Sequence, residues 1–440
     1  NQLLSEAGAG QDALLNLALK KREAGIELWQ NGNLASAMEQ FQQSWALLAT
    51  SYRDDRSSNL TFFELGQAEF YIGQTYMDQG DLGAAEEAFM SYAEITRRLI
   101  TLEPENAEWV LEMAYALSNL GNLQMSRDLN MPERTLQFMQ SSLEYNQIAL
   151  VLDPANAYYQ SELGQSHAFL ADAQLAVCDL EGAVKSRQEN VELDAALLEA
   201  EPNNIRRVRR MAFAFTGLAS VKSFVGDIDG ATSNLHKAVN LFEKIAKEDT
   251  DDRDVKIDIL LRQGFLVDLM IQNGEVENAR ELANQVSERW RELQGISSED
   301  MRNSLIYVEH LINQAHLAFL IGDSQAANQL LNDIQLHLIA SQSNMTFKQK
   351  AGNMLVETAF QQWEMNGELP PKNILSNLPE YELGQGRART CQDASIAVLK
   401  AVMLGQPEVA RKFAAYLQKS GYRQARFMRV CKQYSLCSGQ

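Results

Sequence analysis

A small residue recurs along the chain at an almost constant interval, and this period limits the fold more than any other feature. Alanine fills the position six times and threonine once, at successive steps of 48, 50, 48, 48, 48 and 48 residues: Ala37, Ala85, Thr135, Ala183, Ala231, Ala279 and Ala327. An acid or amide after a turn keeps nearly the same step, at Asn33, Asp81, Asp128, Asp179, Asp227, Glu275 and Asp323. Such regularity predicts a stack of similar units rather than one globular core.

Each unit is predicted to consist of a helix, a tight turn and a second helix. In the segment 65–93, Gly80-Asp81 forms the turn, and Ala85 and Phe89 lie one turn apart on one face of the second helix. The joints between units also recur, as Leu-Glu-Pro-Glu-Asn at 102–106 and Leu-Asp-Pro-Ala-Asn at 152–156. Proline ends the preceding helix, and asparagine caps the next one. The predicted repeats lie near 11–53, 60–102, 107–152, 157–200, 205–247, 255–293, 300–341 and 347–368, followed by an irregular linker at 369–386 and a basic helical C-terminal cap at 387–440.

Composition and charge narrow the class of protein. Apolar residues make up 45% and charged residues 22% of the 440 residues, which is typical of a folded chain rich in helix-forming residues. The net charge of −19 disfavours nucleic acid as a partner. Residues 384–440 contain 10 Lys and Arg against 2 Asp and Glu. We expect these basic residues to lie on the surface of the cap. Alternatively, they contact an acidic partner or an anionic membrane.

Targeting signals and cysteines are the features of the sequence that indicate the cellular compartment of the chain. The sequence has no apolar run long enough for a membrane span. It starts at Asn1 within ordinary sequence, so we expect a piece of a longer protein. The four cysteines are expected to be free buried thiols, and the alternative is a bond from Cys391 to Cys431 or Cys437. The cytoplasm is the expected location, with the periplasm as the alternative if a membrane span precedes the chain.

The helix pair resembles the tetratricopeptide repeat. The second repeat has the residues of that family at the family's spacings, namely Ile72-Gly73, Tyr76, Gly80-Asp81, Ala85 and Phe89. The period differs, since the family repeats every 34 residues, and the longer period adds about two turns to each helix. The resemblance implies an all-α, right-handed α-α superhelix of about seven to eight repeats with a C-terminal helical cap. Long repeats of this kind also resemble those fused to kinase or winged-helix domains in bacterial signalling proteins.

The resemblance further implies a non-enzymatic scaffold that binds a protein or peptide, as the sensory or docking region of a larger bacterial signalling protein. The alternative is a self-association module that dimerises a fused effector domain. The histidines and cysteines form no metal-binding or catalytic motif. We therefore expect no catalytic residue, no metal and no cofactor.

A ligand is expected on the concave face, which the first helix of each repeat lines in the resembled family. The positions that correspond here are mostly amides, hydroxyls and aromatics, which suit an extended peptide: Gln67, Phe70, Gln74, Tyr115, Ser118, Asn122, Gln165, Asp172 and Ser220. Arg206 and Arg210 lie on one face of the densest basic cluster. They are expected to anchor an anionic segment. In the alternative, the cluster is a solvated helix start that pairs with Glu199 and Glu201.

Overall fold

The computed structural model describes residues 11–125, 131–293, 301–341, 348–381 and 390–437, and within these ranges the regular structure is entirely helical. Several predicted positions lie outside the described residues. They are Asp128, residues 300 and 347 at the starts of two expected repeats, residues 382–386 of the expected linker, and residues 387–389 and 438–440 of the expected cap. The helices are α1 (Gln11–Gln30), α2 (Leu34–Asp54), α3 (Asn59–Gln79), α4 (Leu82–Leu102), α5 (Ala107–Gln124), α6 (Pro132–Leu152), α7 (Ala157–Ala176), α8 (Leu180–Ala200), α9 (Ile205–Phe224), α10 (Ile228–Glu248), α11 (Arg253–Gln272), α12 (Val276–Glu292), α13 (Met301–Leu320), α14 (Ser324–Ser341), α15 (Lys348–Asn366), α16 (Lys372–Leu375), α17 (Cys391–Met403), α18 (Pro407–Lys419) and α19 (Ala425–Gln433).

The turns inside the repeats share one backbone geometry. Five of them place glycine in the left-handed region with φ between 75° and 89°, at Gly32, Gly80, Gly226, Gly274 and Gly322, where a side chain would cost energy. The residue after the turn then caps the second helix. The Asp81 side chain accepts a hydrogen bond from the Ala84 amide, and the Asp227 side chain accepts one from the Gly230 amide. Cys178 takes the glycine position in one repeat, with φ of 60°.

The periodic small residues lie where the two helices of a repeat cross. All seven, from Ala37 to Ala327, have no exposed surface. The aromatic ring one turn later packs on a glycine of the first helix. A Cβ atom added to Gly73 would lie 2.6 Å from the Phe89 ring, and one added to Gly25 would lie 2.5 Å from the Phe41 ring. The small residues therefore recur with the repeat because the two helices of each pair approach closely at these positions.

The chain forms two compact units, an N-terminal unit that ends at Ala173 and a C-terminal unit that begins at Gln174. In each unit we call the face lined by the first helices of the repeats the inner face. It is formed by α1, α3, α5 and α7 in the N-terminal unit and by α9, α11, α13 and α15 in the C-terminal unit. The predicted borders of the array, the linker and the cap stay predictions.

The segment that ends in α19 packs onto the inner face of the C-terminal unit. The backbone N–H of Arg423 donates to the Phe224 carbonyl of α9 at 2.7 Å. A guanidinium nitrogen of Arg426 lies 3.2 Å from Glu357 of α15. Tyr422 and Phe427 are fully buried in the same hydrophobic cluster as residues of α13 and α15. The C-terminal segment is thus part of the core of its unit.

The four cysteines form two disulfide bonds, Cys178–Cys391 and Cys431–Cys437. The expectation of free thiols is therefore wrong, and Cys391 pairs with neither of the two cysteines considered for it. The physical reason is that α17 begins beside the turn of a distant repeat, with the Cα atoms of Cys178 and Cys391 5.2 Å apart. Within the described ranges, no helix is both long and apolar enough to cross a membrane.

Candidate functional site

A polar cavity of about 360 Å³ lies on the inner face of the N-terminal unit. Six of the residues predicted to contact a ligand line it: Gln67, Phe70, Tyr115, Ser118, Asn122 and Gln165. They come from α3, α5 and α7, which present corresponding positions in successive repeats. Side chains of α4 and α6 complete the lining with Tyr92, Ser142 and Asn146. The site is therefore built from three consecutive repeats.

Side-chain hydrogen bonds connect the helices that form the cavity. Gln67 donates to the Glu112 carboxylate at 2.7 Å, and the Tyr92 hydroxyl donates to the same carboxylate oxygen. Nearer the turn, Gln74 donates to Asn119 at 2.7 Å. These bonds link α3 and α4 to α5. They fix the lining side chains before any ligand arrives, which reduces the entropy cost of binding.

Tyr115 connects α5 to α7 at the rim of the cavity. Its hydroxyl lies 2.5 Å from the hydroxyl of Tyr158. Burial is the main cause that raises the pKa of Tyr115, and the nearby Glu162 carboxylate raises it further. Tyr115 is therefore a neutral phenol that can donate or accept a hydrogen bond.

The electrostatic character of the cavity is acidic. Among the described residues that line it, Glu112 and Glu162 carry carboxylates, and none is lysine or arginine. Burial raises the pKa of Glu112, and the charges of Glu108 and Glu64 add to this effect, whereas hydrogen bonds from Tyr92 and Gln67 oppose it. The two carboxylates therefore give the described lining of the cavity its acidic character.

Asn146 contributes an acceptor at the back of the cavity. Its side chain is 3% exposed. Its amide nitrogen donates to the Ser142 carbonyl at 3.1 Å and to the Ser166 hydroxyl at 2.6 Å. Within the described part of the chain, its Oδ1 atom has no hydrogen-bond partner. A buried acceptor left in this way is costly unless a donor reaches it.

Glu112, Glu162 and Asn146 also line the cavity but are not among the residues predicted from the sequence. The first two lie one helical turn before Tyr115 and Gln165, so the i, i+3 spacing on one face could have identified them. Asn146 lies on α6, a second helix of its repeat, and the resemblance gave no reason to include second helices.

The other predicted ligand contacts lie outside this cavity. Gln74 is bonded to Asn119 next to it, and Asp172 is half-buried in α7. Ser220 is half-buried in α9 of the C-terminal unit, and Arg206 is exposed at the start of that helix. Arg210 forms an ion pair with the buried Asp194 at 3.1 Å. The role of Arg206 and Arg210 as an anion anchor stays a prediction.

Two neighbours of these arginines are also paired within the unit. Arg209 lies 3.1 Å from Asp252, and Arg207 lies 3.8 Å from Glu201. Three of the four arginines at the start of α9 are therefore paired with acidic residues of their own unit. Elsewhere in the described ranges, no group of three or more His, Cys, Asp or Glu side chains is placed to hold a metal ion.

Comparisons with known proteins concern the fold. No protein-family model and no curated protein matches the sequence. Among solved structures, a Signal Transduction ATPase with Numerous Domains protein with a tetratricopeptide repeat sensor, from Pyrococcus horikoshii, is similar at 15% identity and a TM-score of 0.50, over 73% of this chain and 42% of that one. Aspartyl phosphate phosphatase F from Bacillus subtilis is 13% identical, with a TM-score of 0.48 over 76% and 72% of the chains. A tetratricopeptide repeat protein from Parabacteroides merdae is 12% identical, with a TM-score of 0.36 over 84% and 98%.

The class of protein follows from the arrangement of the helices and from the similarity to the Pyrococcus horikoshii structure. The chain is an all-α array of helix-turn-helix repeats, a solenoid of the tetratricopeptide type. The predicted fold class and the predicted resemblance are both confirmed. The chain spans less than half of the length of the Pyrococcus horikoshii protein.

Proposed function

We propose that this chain is a non-enzymatic scaffold that binds a protein or peptide in the cavity of its N-terminal unit. One observation carries the proposal. Side chains of three successive first helices meet in a single polar cavity, and hydrogen bonds between the helices hold them in place.

The size and chemistry of the cavity suit part of a peptide. A volume of about 360 Å³ is at the lower end of the range for ligand pockets, about 300–1,000 Å³. It accommodates one or two side chains together with their backbone. The amide and hydroxyl groups of Ser118, Asn122 and Gln165 can bond to a peptide main chain, and Phe70 and Phe169 offer apolar surface to its side chains.

We further propose that the chain is the docking region of a larger signalling protein. The support is the similarity in fold to the Pyrococcus horikoshii protein, which is described as a signal-transduction ATPase with a tetratricopeptide repeat sensor. The partner is a protein or peptide rather than nucleic acid, because the chain carries a net charge of −19. To test the class of partner, a cleared lysate of the source cells is passed over the immobilised chain. Recovery of RNA or DNA without protein would contradict the proposal.

A peptide selection tests the main proposal. A random peptide library is selected on the immobilised chain, and the enriched peptides are titrated against the double variant Tyr115→Ala, Asn122→Ala. We expect the variant to bind at least about 1 kcal/mol more weakly, because it loses an aromatic and an amide contact of the cavity. Glu144→Ala, an exposed residue of α6, serves as the control and should bind like the parent. Equal binding by the double variant and the parent would show that the ligand uses another surface.

The disulfide bonds also point to a compartment. Two disulfides that use all four cysteines form and persist in oxidising compartments. We therefore propose that the chain folds in the periplasm or an equivalent oxidising space, which was the alternative to the cytoplasm. Counting of reactive thiols in the denatured native protein should find none. Detection of four would place the chain in a reducing compartment.

A further inference from the structure

The side-chain amide of Asn146 is a buried part of the cavity lining in the N-terminal unit. Its nitrogen donates to the Ser142 carbonyl at 3.1 Å and to the Ser166 hydroxyl at 2.6 Å. Because a carbonyl can only accept, the first of these bonds determines which end of the amide is the nitrogen. The other end, Oδ1, has no hydrogen-bond donor among the described residues. The group that this position needs is therefore a donor.

The corresponding position of the next repeat shows how such an acceptor is satisfied within this molecule. Asp194 of α8 stands 48 residues after Asn146 and is 4% exposed. Its Oδ1 accepts a hydrogen bond from Nε of Arg210 at 3.1 Å, and its Oδ2 accepts one from the Asn190 amide at 3.0 Å. Both oxygens at this position therefore have donors that the chain itself supplies.

The arginine of this pair has no counterpart in the N-terminal unit. The residue 48 positions before Arg210 is Glu162, whose carboxylate hydrogen-bonds with Tyr115 and has no N–H to donate. Glu112, the other carboxylate of the lining, accepts hydrogen bonds from side chains of α3 and α4. Both carboxylates are thus engaged with groups of the chain, and Oδ1 of Asn146 is the lining atom that still needs a donor.

The exchange of aspartate for asparagine also changes the kind of donor that fits. Asp194 is a carboxylate that meets the cation Arg210, whereas Asn146 is neutral. A neutral acceptor pairs with a neutral donor without the burial of a further charge. The amide N–H of a peptide is a donor of this kind, and the amides and hydroxyls elsewhere in the lining suit the same ligand.

We propose that Oδ1 of Asn146 accepts a hydrogen bond from an amide N–H of the bound peptide and thereby selects the part of the peptide that enters the cavity. The proposal rests on the peptide-binding function proposed above and identifies the group that is recognised. The N–H belongs to the peptide main chain or to an asparagine or glutamine side chain. A peptide without this N–H would leave a buried acceptor unsatisfied and should bind more weakly.

Two series of matched peptides test the proposal. The peptide that binds most tightly in the library selection is synthesised with each main-chain N–H in turn replaced by an ester oxygen. In the second series, each asparagine or glutamine of the peptide is replaced by leucine. On the parent chain we expect at least one member to bind about threefold to tenfold more weakly than the original peptide. The series to which this member belongs identifies the source of the N–H.

Variants of the chain connect this loss of affinity to Asn146. Asn146→Leu removes the acceptor at similar volume, so the loss for that member should shrink to about twofold or less. Asn146→Asp keeps an oxygen acceptor and should keep the full loss. Asn234→Leu is the matched control, because Asn234 of α10 is 6% exposed and lies outside the cavity lining. If thermal unfolding shows that Asn146→Leu is not folded, Asn146→Ala takes its place with the same expectation.

The outcomes separate this inference from the proposed function. A peptide that depends on Tyr115 and Asn122, but whose losses are the same on Asn146→Leu and on the parent, would overturn the role of Asn146 and leave the peptide-binding function standing. Selected peptides that bind independently of Tyr115 and Asn122 would overturn both. A loss that shrinks equally in Asn146→Asp or in Asn234→Leu would show that the amides support the fold, and would also overturn the role of Asn146 as an acceptor.

Discussion

The inner faces of the two units are built from the same kind of repeat, but one surrounds a cavity and the other is covered by another segment of the chain. In the N-terminal unit, α3, α5 and α7 surround a polar cavity. In the C-terminal unit, α9, α11, α13 and α15 are covered by the segment that ends in α19, which brings Tyr422, Arg426 and Phe427 onto them. The repeat therefore sets the positions of the helices, and the segment that follows the repeats decides whether an inner face is open or filled.

The filled face also explains the distribution of charge along the sequence. The basic end of the chain meets carboxylates of its own repeats, with Arg426 beside Glu357 and Arg429 beside Glu364. The sequence analysis considered an acidic partner surface for this end, and the structure supplies such a surface within the chain. The C-terminal unit thus has an acidic inner face whose basic counterpart lies in the same chain.

The strongest test of this comparison removes an aromatic ring from each face. Phe427→Ala should lower the free energy of unfolding of the C-terminal unit by about 3–5 kcal/mol, because Phe427 is 1% exposed and its loss leaves a cavity. Phe70→Ala should cost the N-terminal unit only about 1–2 kcal/mol, because Phe70 is half-buried and borders a cavity already. Hydrogen exchange of amides in α15 and α3 measures the two units separately. Equal losses would mean that the two faces do not differ in packing.

A smaller effect concerns the pH dependence of the filled face. Burial, together with the charges of Arg426 and Arg429, lowers the pKa of His316 from its ordinary value of 6.5 to about 4. The unfolded chain therefore takes up a proton before the folded chain does. The contribution of His316 to stability is complete above about pH 6.5 and is lost as the pH falls towards 4.

Substitution of His316 isolates this contribution. In His316→Gln, the loss of unfolding free energy between pH 7 and pH 4.5 should be smaller than in the parent by about 1–3 kcal/mol. Urea unfolding at the two pH values measures the difference. His236→Gln, at an exposed position, is the control. Parallel pH profiles of His316→Gln and the parent would show that α19 does not bury this histidine in solution.

Much of the array could be predicted from the sequence, because its determinants are local and periodic. The small residue at Ala85, the turn at Gly80 and the cap at Asp81 each act within one helix pair, and the repetition of the pattern made the helices of the repeats recognisable. The predicted face of the first helices also contains six residues of the cavity, since one face of a helix follows from its period.

The path of the C-terminal segment could not be predicted, because it depends on contacts between residues far apart in the sequence. Cys178 carried a signal that the sequence analysis did not use. It stands at the turn position where five other repeats have glycine, and a side chain in that conformation costs on the order of 1–3 kcal/mol. A residue kept there against its backbone preference suggests a partner for its thiol, and the partner is Cys391.

The Cys178–Cys391 bond also determines how the molecule would respond to mechanical force. The two cysteines are 213 residues apart, and the loop between them contains α8 to α16. When the chain is pulled from its ends, tension passes through the bond and bypasses this loop. At roughly 3.3–3.6 Å per residue, about 700–770 Å of chain is withheld from extension until the bond is reduced. Under load the N-terminal unit would unravel while the repeats of the C-terminal unit remain shielded.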